Sequence, residues 1–168
     1  MKDLVILKYF LGWCGSDWIS CMLTRRSISG WIVFLGDFSI SWKMNKQAIV
    51  SHSSAEAQYM SMAFVICELK WLKGLLHCLD VDHPQPMELK CDSESTLYLV
   101  QNPIFHERTK HIEIDCHFLR DTILDGTISI THVLTTNQLA TIFTKALEKH
   151  QFELLLCKLG IYDLHVPT

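Results

Sequence analysis

The sequence predicts a mixed β-sheet with helices on both faces, in the α/β class, formed by one globular domain of 168 residues. Three strand-like runs precede the longest helix, which indicates antiparallel pairing, and a strand-to-helix alternation follows it. Hydrophobic residues make up 49% of the chain and charged residues 20%, a balance typical of a folded domain rather than a disordered one. Together these observations favour a single core.

The first half of the chain contains the antiparallel part of the predicted sheet. Leu4 to Cys14 is rich in aliphatic and aromatic residues and predicts a buried strand, followed by a polar turn from Gly15 to Ser20. Ser29 to Leu35 and Ser39 to Lys43 predict two strands of a hairpin that turns at Gly36-Asp37.

The stretch from Lys43 to Leu79 joins the end of that hairpin to the longest helix. Within it, Ala48 to Ser51 either extends the second strand or forms a short edge strand. Ser53 precedes Glu56 by three residues, the spacing of a helix capping box. Apolar residues at three-and-four spacing predict the core face of the helix. They are Met60, Phe64, Cys67, Trp71, Leu72, Leu75, Leu76 and Leu79.

The second half predicts shorter elements after a proline-containing loop. Residues 103–112 show no clear pattern, and Asn102-Pro103 ends the helix before them. A glycine follows each of two other helices as a stop signal. The elements are a strand from Met87 to Cys91, helices from Ser93 to Gln101 and Glu113 to Leu124, a strand from Thr127 to Leu134, a helix capped by Thr136 through Leu147, and a helix from Lys149 to Leu159.

Charge and hydropathy restrict the possible partners and compartment. The net charge of −3 lacks the basic excess of a protein that binds nucleic acid over its whole surface, so any such contact requires a local patch. Asp3 and Lys8 interrupt the apolar N-terminus, and no stretch reaches the ~18 apolar residues of a membrane span. The seven cysteines stand singly and predict buried thiols in a reducing compartment. We expect a soluble intracellular protein, cytoplasmic or nuclear, with no membrane contact.

Two carboxylates stand at the ends of predicted elements. Glu56 lies in the first turn of the long helix, and Asp92 follows a short strand in CDSES. Ligands of α/β folds gather at such strand ends, so the pair could share a divalent metal ion. A purely structural role fits the same two residues, because Glu56 can complete the capping box and Asp92 can cap the next helix.

Four motifs resemble, in order and spacing, the ribonuclease H domain at the C-terminal end of copia-type retrotransposon Pol polyproteins. They are LTRRSISGWIVFLGDFSISWKMNKQ, SHSSAEAQYMSMA, CDSESTLYLVQNPIFHERTKHIEIDCHFLRD and TTNQLATIFTKAL. The resemblance assigns residues 1–10 to an N-terminal extension and the start of the first strand, 11–161 to the domain, and 162–168 to a tail. It implies a ribonuclease H-like fold with a five-stranded mixed sheet. It also implies cleavage of the RNA strand of RNA–DNA hybrids by two magnesium ions held by four carboxylates.

Carried over position by position, the resemblance leaves this chain with half of that ligand set. Glu56 and Asp92 match two family carboxylates, but Gly15 and Thr141 stand where the family has aspartates. Asp17 is a possible substitute, although the turn predicted after Cys14 disfavours it. Because magnesium depends on several anionic oxygens in near-octahedral order, we expect weak or absent binding and impaired catalysis.

Nucleic-acid contacts are the second function class. In HERTKHI, the resemblance assigns possible phosphate contacts to Arg108, Lys110 and His111, and the alternative is a solvated loop. A second basic patch contains Arg25, Arg26, Lys43 and Lys46. The spacing of His106, His111 and His117 does not suit a metal site. Core or strand-face positions are expected for Trp18, Trp31, Trp42 and Trp71.

These observations predict a degenerate ribonuclease H domain without the polymerase, integrase and protease regions of an autonomous element. The expected partner is an RNA–DNA hybrid or other nucleic acid, bound weakly. The alternatives are a non-catalytic module that binds nucleic acid or a protein, and a retroelement relic without a selected role.

Overall fold

A computed structural model describes residues 9–101 and 113–161. The strands are β1 (Phe10–Asp17), β2 (Ile28–Leu35), β3 (Phe38–Lys46), β4 (Met87–Cys91) and β5 (Ile128–His132). The helices are α1 (Ser54–Cys78), α2 (Glu94–Gln101), α3 (Glu113–Leu124) and α4 (Lys149–Lys158). The sheet order is β3-β2-β1-β4-β5, in which β1 pairs antiparallel with β2 and parallel with β4. The predicted five-stranded mixed sheet is confirmed.

The first strand is longer at its C-terminal end than predicted. Gly15, Ser16 and Asp17 continue β1 and pair with residues of β2, so the polar turn predicted from Gly15 is wrong. Local propensity disfavours a strand in Gly-Ser-Asp, but the neighbouring strand supplies a full ladder of backbone partners. Residues 4–8 of the predicted strand lie outside the described residues.

The hairpin of β2 and β3 turns where predicted. Gly36 has a φ of +60°, a conformation that glycine adopts without strain. β3 continues to Lys46, beyond the predicted end at Lys43. Residues 48–51 form no strand, which corrects that prediction.

The core face of helix α1 overlaps only in part with the predicted one. The predicted residues that pack against the core are Phe64, Leu72 and Leu76. The helix's buried apolar residues include Met62, Val65, Ile66 and Leu69, whereas the side chain of Trp71 is 61% exposed. Leu75 and Leu79 are also exposed. The helix carries apolar residues on more than one face, so the three-and-four spacing fits several stripes, and contact with the sheet selects one.

The segment after β5 is not the predicted helix from Thr136 to Leu147. It forms two 3₁₀ turns, of which the second, Leu139–Phe143, is called the 3₁₀ segment here. This segment lies directly on β2, because a Cβ added at Gly30 would stand 2.7 Å from the Cβ of Phe143. The bounds of β4 and α3 are confirmed, and β5 ends at His132, two residues early.

The sheet separates two apolar cores. The larger lies under α1 and includes Cys14, Cys91 and Leu89. The smaller lies under the 3₁₀ segment and α4 and includes Trp13 and Leu155. Helices therefore cover both faces, as predicted. None of the helices in the described ranges is long and apolar enough to cross a bilayer.

Two expectations about side-chain burial are corrected by this packing. Cys14, Cys91 and Cys116 are buried, but Cys67, Cys78 and Cys157 are exposed. Trp31 is buried on β2 and Trp42 lies on β3 with 60% exposure, which both fit the expected core or strand-face positions, whereas Trp18 follows β1 and is 42% exposed. The side chain of Trp71 is also exposed, because a neighbouring part of the helix surface faces the sheet.

Candidate functional site

The candidate site lies where the parallel strands β1 and β4 stop pairing. Their register ends at Trp13 and Lys90, beside the point at which the strand order reverses. The next carbonyl, that of Cys14, accepts one hydrogen bond from Gln58 Nε2 at 3.2 Å and another from Gln138 Nε2 at 3.0 Å. Gln58 belongs to α1 and Gln138 directly precedes the 3₁₀ segment, so elements from both sheet faces meet at this carbonyl.

Gly15 is the first residue beyond that carbonyl. Its own carbonyl accepts a hydrogen bond of 2.8 Å from the hydroxyl of Ser61 on α1. A Cβ added at Gly15 would stand 3.6 Å from the Cβ of Ala140, which is ordinary van der Waals contact. Thr141 follows Ala140 and is buried. The two chain segments at which the resemblance places the replaced carboxylates are therefore in contact.

Glu56 is buried in the first turn of α1, with 3% exposure. Its backbone N–H donates to Ser53 Oγ at 3.1 Å, and its Oε2 accepts from the backbone N–H of His52 at 2.6 Å. The predicted capping box is thus present, with the carboxylate bound one residue earlier than expected. These bonds fix the carboxylate in place, and its role as a metal ligand stays a prediction.

Asp92 directly follows β4 and is partly exposed. Ser93 rather than Asp92 caps α2, because Ser93 Oγ accepts the backbone N–H of Thr96 at 3.3 Å. The capping alternative for Asp92 is therefore wrong. Its carboxylate lines an open depression that it shares with His132 and Thr135, and the metal-ligand prediction for it also remains open.

Asp17 lies on β1 rather than in a turn, which removes the reason for disfavouring it. Residues two apart on a strand share a face, so Asp17 faces the same side as Gly15, roughly 7 Å further along. It pairs with Ile28 at the end of the β1–β2 ladder and is partly exposed. Its use as a substitute ligand stays a prediction.

The described residues do not fit the two-magnesium site implied by the resemblance. Within residues 9–101 and 113–161, no group of three or more His, Cys, Asp or Glu side chains is arranged to hold a metal ion. Glu56 and Asp92 supply two carboxylates, while Gly15 and Thr141 supply none. Two carboxylates without substrate phosphates leave most of the coordination of a magnesium ion to water, which predicts weak binding.

Two buried thiols occupy the larger-core side of the same junction. Gln58 Nε2 lies 3.6 Å from Cys14 Sγ and 3.3 Å from Cys91 Sγ. Burial, followed by a hydrogen bond to Cys91, raises the pKa of the Cys14 thiol well above its usual value. That hydrogen bond is also the main cause that lowers the pKa of Cys91, against the effect of burial. Sequence reasoning predicted separate buried thiols and did not predict this pair.

The predicted basic residues lie in two places on the structure, and the remaining three fall outside the described residues. Arg25 and Arg26 are exposed in the β1–β2 connection, and the Cys21 N–H donates to the carbonyl of Arg26 at 3.2 Å. The pKa of the Cys21 thiol is lowered to about 6, mainly by a hydrogen bond from Lys46. Lys46 therefore lies beside the β1–β2 connection that carries Arg25 and Arg26; these three residues form the basic corner. Lys43 instead stands 5.8 Å from the ring centre of Trp31.

The other predicted phosphate contacts lie outside the described residues. They are Arg108, Lys110 and His111. His106 lies there too, and His117 is exposed on α3.

Sequence reasoning missed Gln58 and Gln138, which join the elements of the site. Both are buried, with 4% and 1% exposure. A glutamine within the apolar run AEAQYMSMA was an available signal, because a buried amide needs specific partners. The partners themselves are distant in sequence, since Gln138 and Cys14 are separated by 124 positions.

Sequence comparison relates the chain to transposon polyproteins. No family model matches. The chain is 39% identical over 146 residues to the retrovirus-related Pol polyprotein from transposon RE1 of Arabidopsis thaliana. It is 31% identical over 147 residues to that from transposon TNT 1-94 of Nicotiana tabacum. These matches cover 87% and 88% of this chain but 10% and 11% of the relatives, so the chain spans about a tenth of their length.

Structure comparison identifies the fold. LC11-RNase H1, isolated from compost by a metagenomic approach, aligns with a TM-score of 0.59 over 89% of this chain and 99% of that chain, at 11% identity. A crystal structure of LC11-RNase H1 in complex with an RNA/DNA hybrid aligns with a TM-score of 0.56 over 80% of this chain and 93% of that one, at 9% identity. Such low identities establish the ribonuclease H-like fold alone.

Proposed function

Since this chain is a homologue of the copia-type retrotransposon Pol polyproteins with a ribonuclease H-like fold, we propose that it is a degenerate ribonuclease H domain with little or no nuclease activity. The family activity is metal-dependent cleavage of RNA in RNA–DNA hybrids. One observation supports the proposal: Gly15 and Thr141, to which the resemblance assigns two of the four carboxylate positions, belong to segments that meet where Gly15 approaches Ala140.

The missing carboxylates bear on the most demanding part of the chemistry. Cleavage by two metal ions requires both ions about 4 Å apart, one to activate water and one to stabilise the leaving oxygen. Glu56 and Asp92 are too few to position two such ions, and Glu56 is also engaged by the His52 N–H. The chain's own residues hold the junction together, because Gln58 bonds to Cys14 on β1 and to Cys91 on β4, and Gln138 connects Cys14 to the 3₁₀ segment.

A cleavage assay tests this proposal. The natural chain is incubated with a labelled RNA–DNA hybrid and magnesium, beside the double variant Glu56→Gln, Asp92→Asn, which removes both charges and keeps the side-chain shapes. We expect neither protein to cut the hybrid above the buffer control. Magnesium-dependent cutting by the natural chain that the double variant abolishes would show an intact site and overturn the proposed impairment.

A second function, nucleic-acid binding without cleavage, is favoured by the corner of Arg25, Arg26 and Lys46. These cations are exposed and close together in a chain whose net charge is −3. Binding to phosphates releases counterions, so log K should fall linearly with log salt, with a slope of about −0.9 per phosphate contact. The double variant Arg26→Gln, Lys46→Gln should reduce that slope, whereas Lys149→Gln on α4 serves as the exposed-lysine control.

The same titration separates this function from the third candidate. Salt-dependent binding that requires the corner supports a non-catalytic nucleic-acid module. No binding to hybrid, duplex or single strands at low salt leaves a protein-binding module or a retroelement relic.

A further inference from the structure

Cys14 and Cys91 are two buried thiols at the junction that the proposed function does not use. Both side chains have 0% exposure. The amide nitrogen Gln58 Nε2 lies 3.6 Å from the sulfur of Cys14 and 3.3 Å from that of Cys91. The two sulfurs are also hydrogen-bonded to each other. Cys14 and Cys91 follow Trp13 and Lys90, the last register pair of β1 and β4, so they face each other across neighbouring strands.

We propose that Cys14 and Cys91 are a modification site at which a hydroperoxide forms a reversible disulfide between β1 and β4. Neighbouring strands lie about 4.8 Å apart, and disulfides bridge Cα separations of about 4.4–6.8 Å. Both side chains belong to the same core cluster, and their sulfurs are within hydrogen-bonding distance of each other. The bond therefore needs rotation of the side chains rather than movement of the backbone.

The reaction balances with hydrogen peroxide as the oxidant. One cysteine sulfur attacks a peroxide oxygen as the O–O bond breaks, which gives a sulfenic acid and one water. The second sulfur then attacks the first, the S–O bond breaks, and a second water leaves with the remaining thiol proton. Two thiols lose two electrons and two protons, and the peroxide is reduced to two waters.

The disulfide would connect the two strand ends that carry Gly15 and Asp92. It would fix their separation covalently, where Gln58 now holds them by hydrogen bonds. Cys67 and Cys78 have no equivalent geometry, because eleven residues of helix α1 place them about 16 Å apart. The inference rests on the strand geometry and holds whether or not the domain cleaves or binds nucleic acid.

The test uses the folded natural chain. It is treated with hydrogen peroxide, the peroxide is removed with catalase, and the protein is denatured in the presence of N-ethylmaleimide, so that all remaining thiols, buried ones included, are blocked before digestion. Mass spectrometry should find a peptide pair linked through Cys14 and Cys91 that dithiothreitol separates. The oxidised protein should also melt at a higher temperature than the reduced one, because the bond closes a long loop in the unfolded chain.

Two variants complete the design. Cys157→Ser, which removes an exposed thiol, should leave the linked pair unchanged, whereas Cys91→Ser should abolish it. The inference is overturned if Cys67 and Cys157 are oxidised in the natural chain while Cys14 and Cys91 are recovered as blocked thiols. That outcome is read from the natural chain and does not depend on the folding of either variant.

Discussion

The double substitution Gly15→Asp, Thr141→Asp should restore magnesium-dependent cutting of an RNA–DNA hybrid. It places carboxylates at the two positions to which the resemblance assigns them. The backbone tolerates the first change, because a Cβ at Gly15 would stand 3.6 Å from the Cβ of Ala140 in ordinary contact. Either single change should restore much less activity, since two-metal cleavage needs both ions in place.

The stability of this double variant should depend on magnesium. Two carboxylates about 5 Å apart repel by about 3 kcal/mol at an effective dielectric constant of 20, so the metal-free variant should lose several kcal/mol of unfolding free energy. Magnesium at 100 times its Kd should return about 2.7 kcal/mol, a rise in Tm of about 5–10 °C for a domain of this size. The natural chain should show almost no magnesium effect.

Thermal unfolding with and without magnesium, followed by the hybrid cleavage assay, measures both effects. The variant Gly15→Asn, Thr141→Asn is the matched control, because it adds similar side chains without charge. It should be insensitive to magnesium and inactive. A folded aspartate variant that neither cuts the hybrid nor gains stability with magnesium would refute the reasoning and place the defect elsewhere in the chain.

Three further outcomes are expected. Glu56→Ala should lower the unfolding free energy, measured by urea denaturation, by about 1 kcal/mol, because the helix cap is lost. Glu56→Gln keeps an acceptor and should cost less. Equal losses would contradict the capping role. Gly30→Ala should lower the unfolding free energy by about 1–3 kcal/mol, because its Cβ would stand 2.7 Å from the Cβ of Phe143. Gly15→Ala should be neutral or slightly stabilising, and similar effects of both changes would contradict the packing. Alkylation of Cys21 by iodoacetamide, followed by mass spectrometry, should reach half its maximal rate near pH 6, since the thiolate forms as pH rises through its pKa. Lys46→Met removes the donor that favours the thiolate and should move that midpoint upward, and an unchanged midpoint would exclude the hydrogen bond as the cause.

The sequence by itself determined the features that depend on short stretches of chain. The hairpin at Gly36-Asp37, the strand Met87–Cys91 and the capping of α1 by Ser53 all rest on neighbouring residues, and the structure has each of them. The motifs also indicated the fold and the polyprotein relatives, because their order and spacing extend over nearly the whole chain.

Tertiary structure decided which residues of those elements face the core. Helix α1 has apolar residues on several faces, and only its contact with β1 and β2 selects Met62, Val65 and Leu69 over Trp71 and Leu75. In the same way, β2 extends β1 through Gly15 to Asp17, against the local preference for a turn. Periodicity reports the pattern of one element, whereas burial depends on its partner.

The contacts at the junction of β1 and β4 could not be predicted from the sequence, for the same physical reason. Gln58, Gln138 and the carbonyl of Cys14 meet because two parallel strands stop pairing there and leave a buried acceptor that needs donors. The contact of Cys14 with Cys91 follows from strand register over 77 positions of chain. The sequence suggested Glu56 and Asp92 as candidates, and only the folded sheet determined which side chains surround the end of β1.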